Sequence, residues 1–229
     1  MKTSAIIVAA GTGSRMQSDI PKQFLTLGDR TVLYHTISKF LKAKQVFEIV
    51  VVVARKYLKS DYLKSSIPQD ATKPIKVVAG GKTRQKSVEN GLKATDSKAN
   101  YVLTHDGVRP LISSKLIDSA ISACENHDGI IVGVPAVDTL KKVDGTKIIQ
   151  KIDRRVVWQL HTPQIFPMEV LKHSVEIAKM NGMAFTDESS LVKPMFEDVH
   201  VFQGEKTNIK ITVIEDLVIA KAIMDNYEN

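Results

Sequence analysis

Ala5-Ile6-Ile7-Val8-Ala9-Ala10, followed at once by Gly11-Thr12-Gly13-Ser14-Arg15-Met16, decides how the rest of this sequence is read. Six small or branched apolar residues bounded by glycine read as a short strand buried on both faces. The glycines then form a tight turn whose backbone N–H groups can approach a phosphate chain without obstruction by Cβ. Lys22, in Pro21-Lys22-Gln23-Phe24, places a second cation beside Arg15 just after the turn. Two familiar phosphate loops do not fit. A dinucleotide fingerprint wants a small residue where Met16 stands, and an acid ending the second strand where Ala54-Arg55 stands. A Walker loop wants Gly-Lys-Ser/Thr after the first glycine, and none follows. Taken alone, Gly11 and Gly13 could simply make a turn, with Arg15 and Lys22 as solvated charges. Their place at the carboxyl end of the first strand, where open α/β sheets bind ligands, favours a phosphate site.

Outward from this stretch, strand-like runs at 49–54, 75–79, 101–105 and 130–134 alternate with helical patterns that open at Thr31 and span 83–94 and 113–126. Alternation of this kind predicts βαβ units, hence a mostly parallel, Rossmann-like sheet flanked by helices. After Pro135 the pattern changes. Residues 139–143 and 146–152 flank Asp144-Gly145 and read as a β-hairpin, rich in lysine and poor in bulky core residues. Such a hairpin is marginal alone, so it is expected to project and to pack on a partner chain or substrate. Pro167 opens a helix closed by Asn181-Gly182, residues 199–202 and 209–211 read as short strands, and Thr212 with Glu215 reads as a capping box for a last helix burying Leu217, Ala220, Ile223 and Tyr227. One domain over residues 1–229, with an arm at 136–155, accounts for the whole pattern.

The composition agrees with a folded globular chain. Of 229 residues, 43% are hydrophobic and 25% charged. No apolar run approaches the roughly 20 residues of a membrane helix. The opening Met1-Lys2 leads into a strand rather than a signal-peptide layout, and the single Cys124 cannot form an internal disulfide, so a cytoplasmic location is expected. The net charge of +7 calls for an anionic partner. Nucleic acid is the less favoured candidate, because aromatic residues are only 6% and no recognisable nucleic-acid motif occurs.

The loop with its Pro-Lys-Gln-Phe sequel resembles the nucleotidyltransferases that couple a sugar phosphate to a nucleoside triphosphate, and within them the 2-C-methyl-D-erythritol 4-phosphate cytidylyltransferase family of non-mevalonate isoprenoid synthesis. The resemblance runs from Ala5 to about Ala222. Its further marks are Gly80-Gly81, Arg84 and Ser87; His105-Asp106-Gly107-Val108-Arg109-Pro110; Asp138-Thr139; Asp153-Arg154; Thr162-Pro163-Gln164; Thr186-Asp187-Glu188; and Asn208-Ile209-Lys210-Ile211-Thr212. Each is weak singly; their order and spacing are specific.

The implied reaction is attack of a polyol phosphate on the α-phosphorus of CTP with loss of pyrophosphate. Both reactants are anionic, so positioning and charge neutralisation carry the catalysis, and an ionised phosphate needs no general base. The resemblance implies catalytic roles for Arg15, Lys22, Arg154 and Lys210: the first two on the triphosphate, the last two on the acceptor phosphate. It implies nucleotide contacts from Ala9, Ala10, Gly11, Thr12, Gly13, Ser14, Arg15, Lys22, Gly81, Arg84, Ser87, Asp106 and Gly107. Acceptor contacts would come from Asp106, Arg109, Thr139, Arg154, Thr162, Thr186, Asp187 and Lys210. Mg²⁺ is expected with the triphosphate, held mostly by phosphate oxygens and water, with Asp106 as the candidate carboxylate; no zinc spacing occurs. Asp106 has a plainer reading too, as an Asx turn paired with Arg109. Lys82 departs from the family pattern, which carries an acid there, and so bears on the ribose contact. The family's arm crosses to a neighbouring subunit, implying a homodimer in which Thr139 and Arg154 serve the partner's site. Ribitol 5-phosphate is the rival acceptor; Gln159-Leu160-His161 before Thr162, and Asp187-Glu188-Ser189, favour methylerythritol phosphate.

Overall fold

The computed structural model describes residues 1–11, 16 and 19–227, the side chain of Tyr227 excepted. In chain order the elements are β1 (Thr3–Ala9), a small hairpin β2 (Thr26–Leu27) and β3 (Arg30–Thr31), α1 (Val32–Lys42), β4 (Val46–Val53), α2 (Asp61–Ser66), β5 (Ile75–Ala79), α3 (Arg84–Ala94), β6 (Tyr101–Asp106), α4 (Ser114–Ala123), β7 (Gly129–Pro135), β8 (Lys141–Asp144), β9 (Lys147–Lys151), β10 (Trp158–Pro167), α5 (Met168–Met180), α6 (Glu188–Val192), β11 (Val199–Gln203) and α7 (Ile214–Tyr227). Seven strands form one sheet in the order β11-β7-β10-β6-β1-β4-β5. β1 lies between β4 and β6, parallel to both, and β10 alone runs antiparallel to its neighbours.

Burial on both faces explains the unbroken apolar strands. Ala5, Ile7 and Ala9 of β1 and Ile49, Val51 and Val53 of β4 point to one layer with Leu33, Ile37 and Phe40 of α1 and Ile117 and Ile121 of α4. The alternate residues Ile6, Val50 and Val52 point to the other, against Val88 and Leu92 of α3 and Leu171 and Val175 of α5. This strict alternation between two cores is the period of a strand covered on both sides. Each fully buried Ile, Leu, Val or Phe contributes roughly 1.5–3 kcal/mol. The helices start on the residues their sequences provide: Thr31, Ser60, Thr83 and Ser113 each accept a backbone N–H in the first turn of α1, α2, α3 and α4.

Several expectations are corrected. Residues 209–211 are not a strand; they join no sheet, Ile211 N–H donates to Val108 O at 2.9 Å, and Ile211 is buried in a third apolar cluster with Leu27, Val32 and Ala220. The last helix starts at Ile214, and its cap is Asp216 rather than the Thr212–Glu215 pair. The Asp216 carboxylate accepts the N–H groups of Thr212 and Val213 at 2.6 and 3.0 Å. Ala220 is buried and Leu217 and Ile223 pack beside it as expected, while the side chain of Tyr227 lies outside the described residues. The arm's turn is centred on Gly145-Thr146, one residue later than Asp144-Gly145, and Gly145 supplies the positive φ of 55°. The central strand β10 was not legible because Pro163 interrupts it; the pairing with β7 is irregular there, between Leu160 and Gln164, as a proline in a strand requires.

The arm itself leaves the sheet. β8 and β9 pair only with each other, and each of their residues is exposed, Ile148 and Ile149 among them.

Candidate active site

The carboxyl ends of β1 and β6, the loop after β5 and the segment before α7 meet at a cleft of about 290 Å³. Ala9, Ala10, Gly11, Lys22, Gly81, Arg84, Ser87, Asp106 and Lys210 all line it, so nine expected residues from five stretches of chain share one wall. Thr12, Gly13, Ser14 and Arg15 lie outside the described residues.

Asp106 is the hub. Lys210 Nζ sits 2.8 Å from its Oδ2, Arg109 Nε 3.6 Å from the same oxygen, and an Arg84 terminal nitrogen 3.8 Å from Oδ1. Burial pushes this carboxyl up, but Lys210, Arg84 and Arg109 outweigh burial and hold it well below the usual carboxylate range. Arg84 is fixed from behind by Glu188, which is fully buried and also accepts the Thr104 hydroxyl at 2.7 Å. The backbone of Asp106 is anchored too: its N–H donates to Thr162 Oγ1 at 3.0 Å. His105 lies under the hub, fully buried, and burial pulls its imidazole down to about 3, so it is neutral. Its Nε2 faces the Arg109 carbonyl at 3.2 Å and Nδ1 faces Thr162 Oγ1 at 3.1 Å. A carbonyl can only accept, so Nε2 carries the hydrogen and Thr162 donates to Nδ1.

Two further residues set the floor of the cleft. Lys22 Nζ donates to Ile211 O at 2.9 Å, and the Gln23 amide donates to Ala9 O and Gly11 O at 2.9 and 3.1 Å. Ser87 Oγ accepts the Gly81 N–H at 3.1 Å. Gly107 stands behind the wall, not on it. Its N–H donates to Val8 O at 2.8 Å, and an added Cβ would come within 2.9 Å of the Ala9 Cβ.

A second pocket of about 480 Å³ adjoins the first, because Lys210 lines both. Arg109, His161, Lys206, Val137 and Asp138 are among its other walls. His161 is pulled down to about 4 by burial and by nearby Arg109, so it too is neutral, and its Nδ1 is shielded without a partner.

Five acceptor expectations are placed elsewhere. Thr139 and Arg154 line a separate pocket at the root of the arm, with Arg154 donating to Val137 O. Arg154 and Lys210 thus line different pockets, although Val137, which Arg154 holds, is a wall of the pocket that contains Lys210. Asp187 caps α6, accepting Ser190 N–H at 3.1 Å, and Thr186 leans on it at 3.4 Å; neither lines a described pocket. The Thr162 hydroxyl is taken up by Asp106 and His105, making it a support for the hub. Gln23, Glu188, Lys206 and His161 were missed as site residues. Gln23 and Glu188 sit inside the quoted motifs and His161 inside the stretch that separates the two acceptors, which was the available signal; Lys206 had none.

The family model for IspD, 2-C-methyl-D-erythritol 4-phosphate cytidylyltransferase, matches residues 3–226. The chain belongs to this family. It is therefore a nucleotidyltransferase. A relative of that name from Clostridioides difficile (strain 630) is 38% identical over 223 residues, covering 97% of this chain and 93% of the relative. The crystal structure of 4-diphosphocytidyl-2C-methyl-D-erythritol synthase from Anaerococcus prevotii DSM 20548 superposes with a TM-score of 0.86 at 32% identity, over 98% of this chain and 96% of that one. The 2-C-methyl-D-erythritol 4-phosphate cytidylyltransferase of Thermus thermophilus gives 0.81 at 29% identity, over 98% and 100%. The doubly covered sheet and its helices agree with the Rossmann-like expectation. Among the described residues no helix is long and apolar enough to cross a membrane.

Proposed function

We propose that the chain transfers the cytidylyl group of CTP to 2-C-methyl-D-erythritol 4-phosphate. An acceptor phosphate oxygen bonds to the α-phosphorus as the bond to the bridging β-phosphate oxygen breaks, and pyrophosphate leaves. The observation that carries this reading is the sharing of Lys210 between two adjoining pockets, one opening on the glycine loop and one lined by Arg109 and Lys206. A reaction between two phosphates needs two neighbouring anion sites, and a cation on their common wall lowers the repulsion between them. Opposite charges about 4 Å apart attract by about 4 kcal/mol at an effective dielectric near 20.

In this reading the first cleft takes CTP. Arg15 and Lys22 hold the triphosphate and stabilise charge building on the leaving group. Backbone at Ala9, Ala10, Gly11, Thr12, Gly13 and Ser14, with Gly81, Arg84 and Ser87, forms the nucleotide's surroundings, and Lys82 offers backbone rather than an acid to the ribose. The second pocket takes the polyol phosphate against Lys210 and Arg109, with the unpartnered His161 Nδ1 facing a hydroxyl. Asp106 keeps Lys210 and Arg109 aimed. Thr139 and Arg154, with the exposed arm around them, serve the site of a second copy in a homodimer. Thr186 and Asp187, which anchor the start of α6, act at the same acceptor site as positioning residues.

Mg²⁺ fits as a companion of the triphosphate rather than as a resident ion. Among the described cleft residues Asp106 is the only carboxylate, and three cations already face it. Such a carboxylate is a poor sole anchor for a divalent ion, so the triphosphate's own oxygens and water supply the ligands.

A pyrophosphate-release assay crossing the four ribonucleoside triphosphates with methylerythritol phosphate and ribitol 5-phosphate tests the reading. Release with CTP and methylerythritol phosphate is expected to dominate. Preference for ribitol 5-phosphate would overturn the acceptor, and equal use of UTP would overturn the base.

A further inference from the structure

At the opposite end of the sheet from the cleft, the turn before β7 and the start of β11 bring His127, Asp198 and His200 together. Asp198 stands between two imidazoles: His127 Nδ1 lies 2.8 Å from its Oδ2 and His200 Nε2 lies 2.6 Å from its Oδ1. The two rings are 4.3 Å apart between centroids. One donor atom from each of the three residues lies within 4.8 Å of the other two. The backbone fixes this placement. Asp128 N–H donates to Asp198 O at 3.0 Å, and the parallel pairing of β7 with β11 sets Gly129 against Val199 and Ile130 against His200. All three side chains are partly open to solvent, at 34% for His127, 49% for Asp198 and 53% for His200.

We propose that His127, Asp198 and His200 form a binding site for one divalent transition-metal ion of the zinc class, separate from the nucleotide cleft, which ties edge strand β11 to the start of β7. Two imidazole nitrogens and one carboxylate oxygen are a common zinc donor set, with bonds of about 2.0–2.2 Å. Donors now hydrogen-bonded across a few ångströms need only small side-chain rotations to close on such an ion. Solvent access leaves a fourth position for water. The carboxylate already holds one nitrogen of each ring against a different one of its oxygens. Nitrogen donors suit Zn²⁺, Ni²⁺ or Cu²⁺ and discriminate against the Mg²⁺ that accompanies a triphosphate. The ion has an evident place to act, because β11 is the outermost strand and pairs with β7 alone.

The test is calorimetric titration of Zn²⁺ into the tag-free, full-length chain with Mg²⁺ present in excess. One ion per chain is expected. His127→Gln and His200→Gln should each weaken binding roughly tenfold or more, since even loss of a group behind a metal ligand costs that much. His173→Gln on α5 should leave it unchanged. Zn²⁺ at about 100 times its dissociation constant should raise the melting midpoint of the wild-type chain by about 5 °C and that of neither ligand variant. For a measurement free of variants, the absorption edge of the Zn²⁺-loaded wild type should fit two imidazoles with oxygen donors. No binding by the wild-type chain, undiminished binding in both ligand variants, or an edge without imidazole would each overturn the proposal. Pyrophosphate release by the two variants should match wild type, which separates failure here from failure of the cytidylyltransferase reading.

Discussion

The cleft at the carboxyl ends of β1 and β6 and the β8–β9 arm are built on opposite terms. In the cleft the fold pairs the buried charges: Asp106 faces three cations, Arg84 rests on a buried Glu188, and a neutral His105 and Thr162 brace the hub from beneath. In the arm, two strands pair with each other, their side chains are exposed, and Ile148 and Ile149 face solvent at 63% and 55%. An isolated two-stranded hairpin is marginal in water. The contrast fits the proposed function, in which the body of one chain takes the nucleotide and the arm serves a second copy.

The comparison breaks most readily at Glu188. Glu188→Ala removes a fully buried carboxylate from Arg84 and from the Thr104 hydroxyl, leaving a guanidinium short of its main partner. Loss of one member of a buried ion pair costs about 3–5 kcal/mol. Urea denaturation should show that fall, and a loss under about 1 kcal/mol would mean the cleft is not braced as described. Next comes Lys22→Ala. Its ammonium is placed by the Ile211 carbonyl at 2.9 Å, and its proposed work is on charge that grows during reaction. Steady-state kinetics should show kcat lowered roughly 10²–10³-fold, with KM for CTP changing less. A wild-type kcat would remove Lys22 from the reaction.

The pH dependence sharpens the same contrast, because a buried neutral histidine lies under the cleft's hub and the arm holds none. His105 titrates at about 3 when folded and near 6.5 when unfolded. Between those values the unfolded chain binds a proton that the folded chain refuses. The stability due to neutral His105 is therefore complete above about pH 6.5 and is lost as pH falls toward 3. The slope for one proton is about 1.4 kcal/mol per pH unit. His161 adds to it down to about 4. Asp106, held below its unfolded range, begins to cost only under about pH 4. Urea midpoints measured from pH 7 to 4.5 should fall less steeply in His105→Gln than in wild type; parallel curves would show that the imidazole is not held neutral.

Much of the fold and cleft was legible because local signals and burial agree. β1 and β4 are apolar without interruption since both faces are covered, and Thr31, Thr83 and Ser113 announced the helices they cap. Nine cleft residues were named from motifs. What stayed hidden was set by tertiary contact. β10 carries Pro163 in its middle and is held as a strand only by β6 and β7. Residues 209–211 look like a strand because Ile209 and Ile211 are apolar, yet that burial is against α7 and its neighbours rather than in a sheet. Glu188 reads as an ordinary helix-start acid, and only the approach of α3 to α6 makes it the anchor for Arg84. Thr162 and Asp187 carried the family's pattern while their polar atoms went to the hub and to the α6 cap.

The arm supplies the smallest expected effect and the one that separates the two regions most cleanly. Arg154 is exposed and touches its own chain through the Val137 carbonyl. Its removal therefore has little to cost the single chain, and Arg154→Ala should change unfolding free energy by no more than about 0.5 kcal/mol. If the guanidinium reaches the acceptor phosphate of a second copy, the same substitution should raise KM for the polyol phosphate about tenfold, equivalent to about 1.4 kcal/mol, while KM for CTP stays put. Ile148→Asp, at the exposed arm, gives a control on assembly. Sedimentation velocity should show it shifting the chain toward monomer, with the melting of the remaining fold unchanged and KM for the polyol phosphate raised as in Arg154→Ala. Equal rises in KM for both substrates would place Arg154 with the nucleotide, and an Ile148→Asp chain that still dimerises with an unaltered acceptor KM would show that the arm completes nothing. Because the cleft's own cations sit on the body and Arg154 on the arm, a change confined to the acceptor is a result that no destabilisation of the cleft could produce.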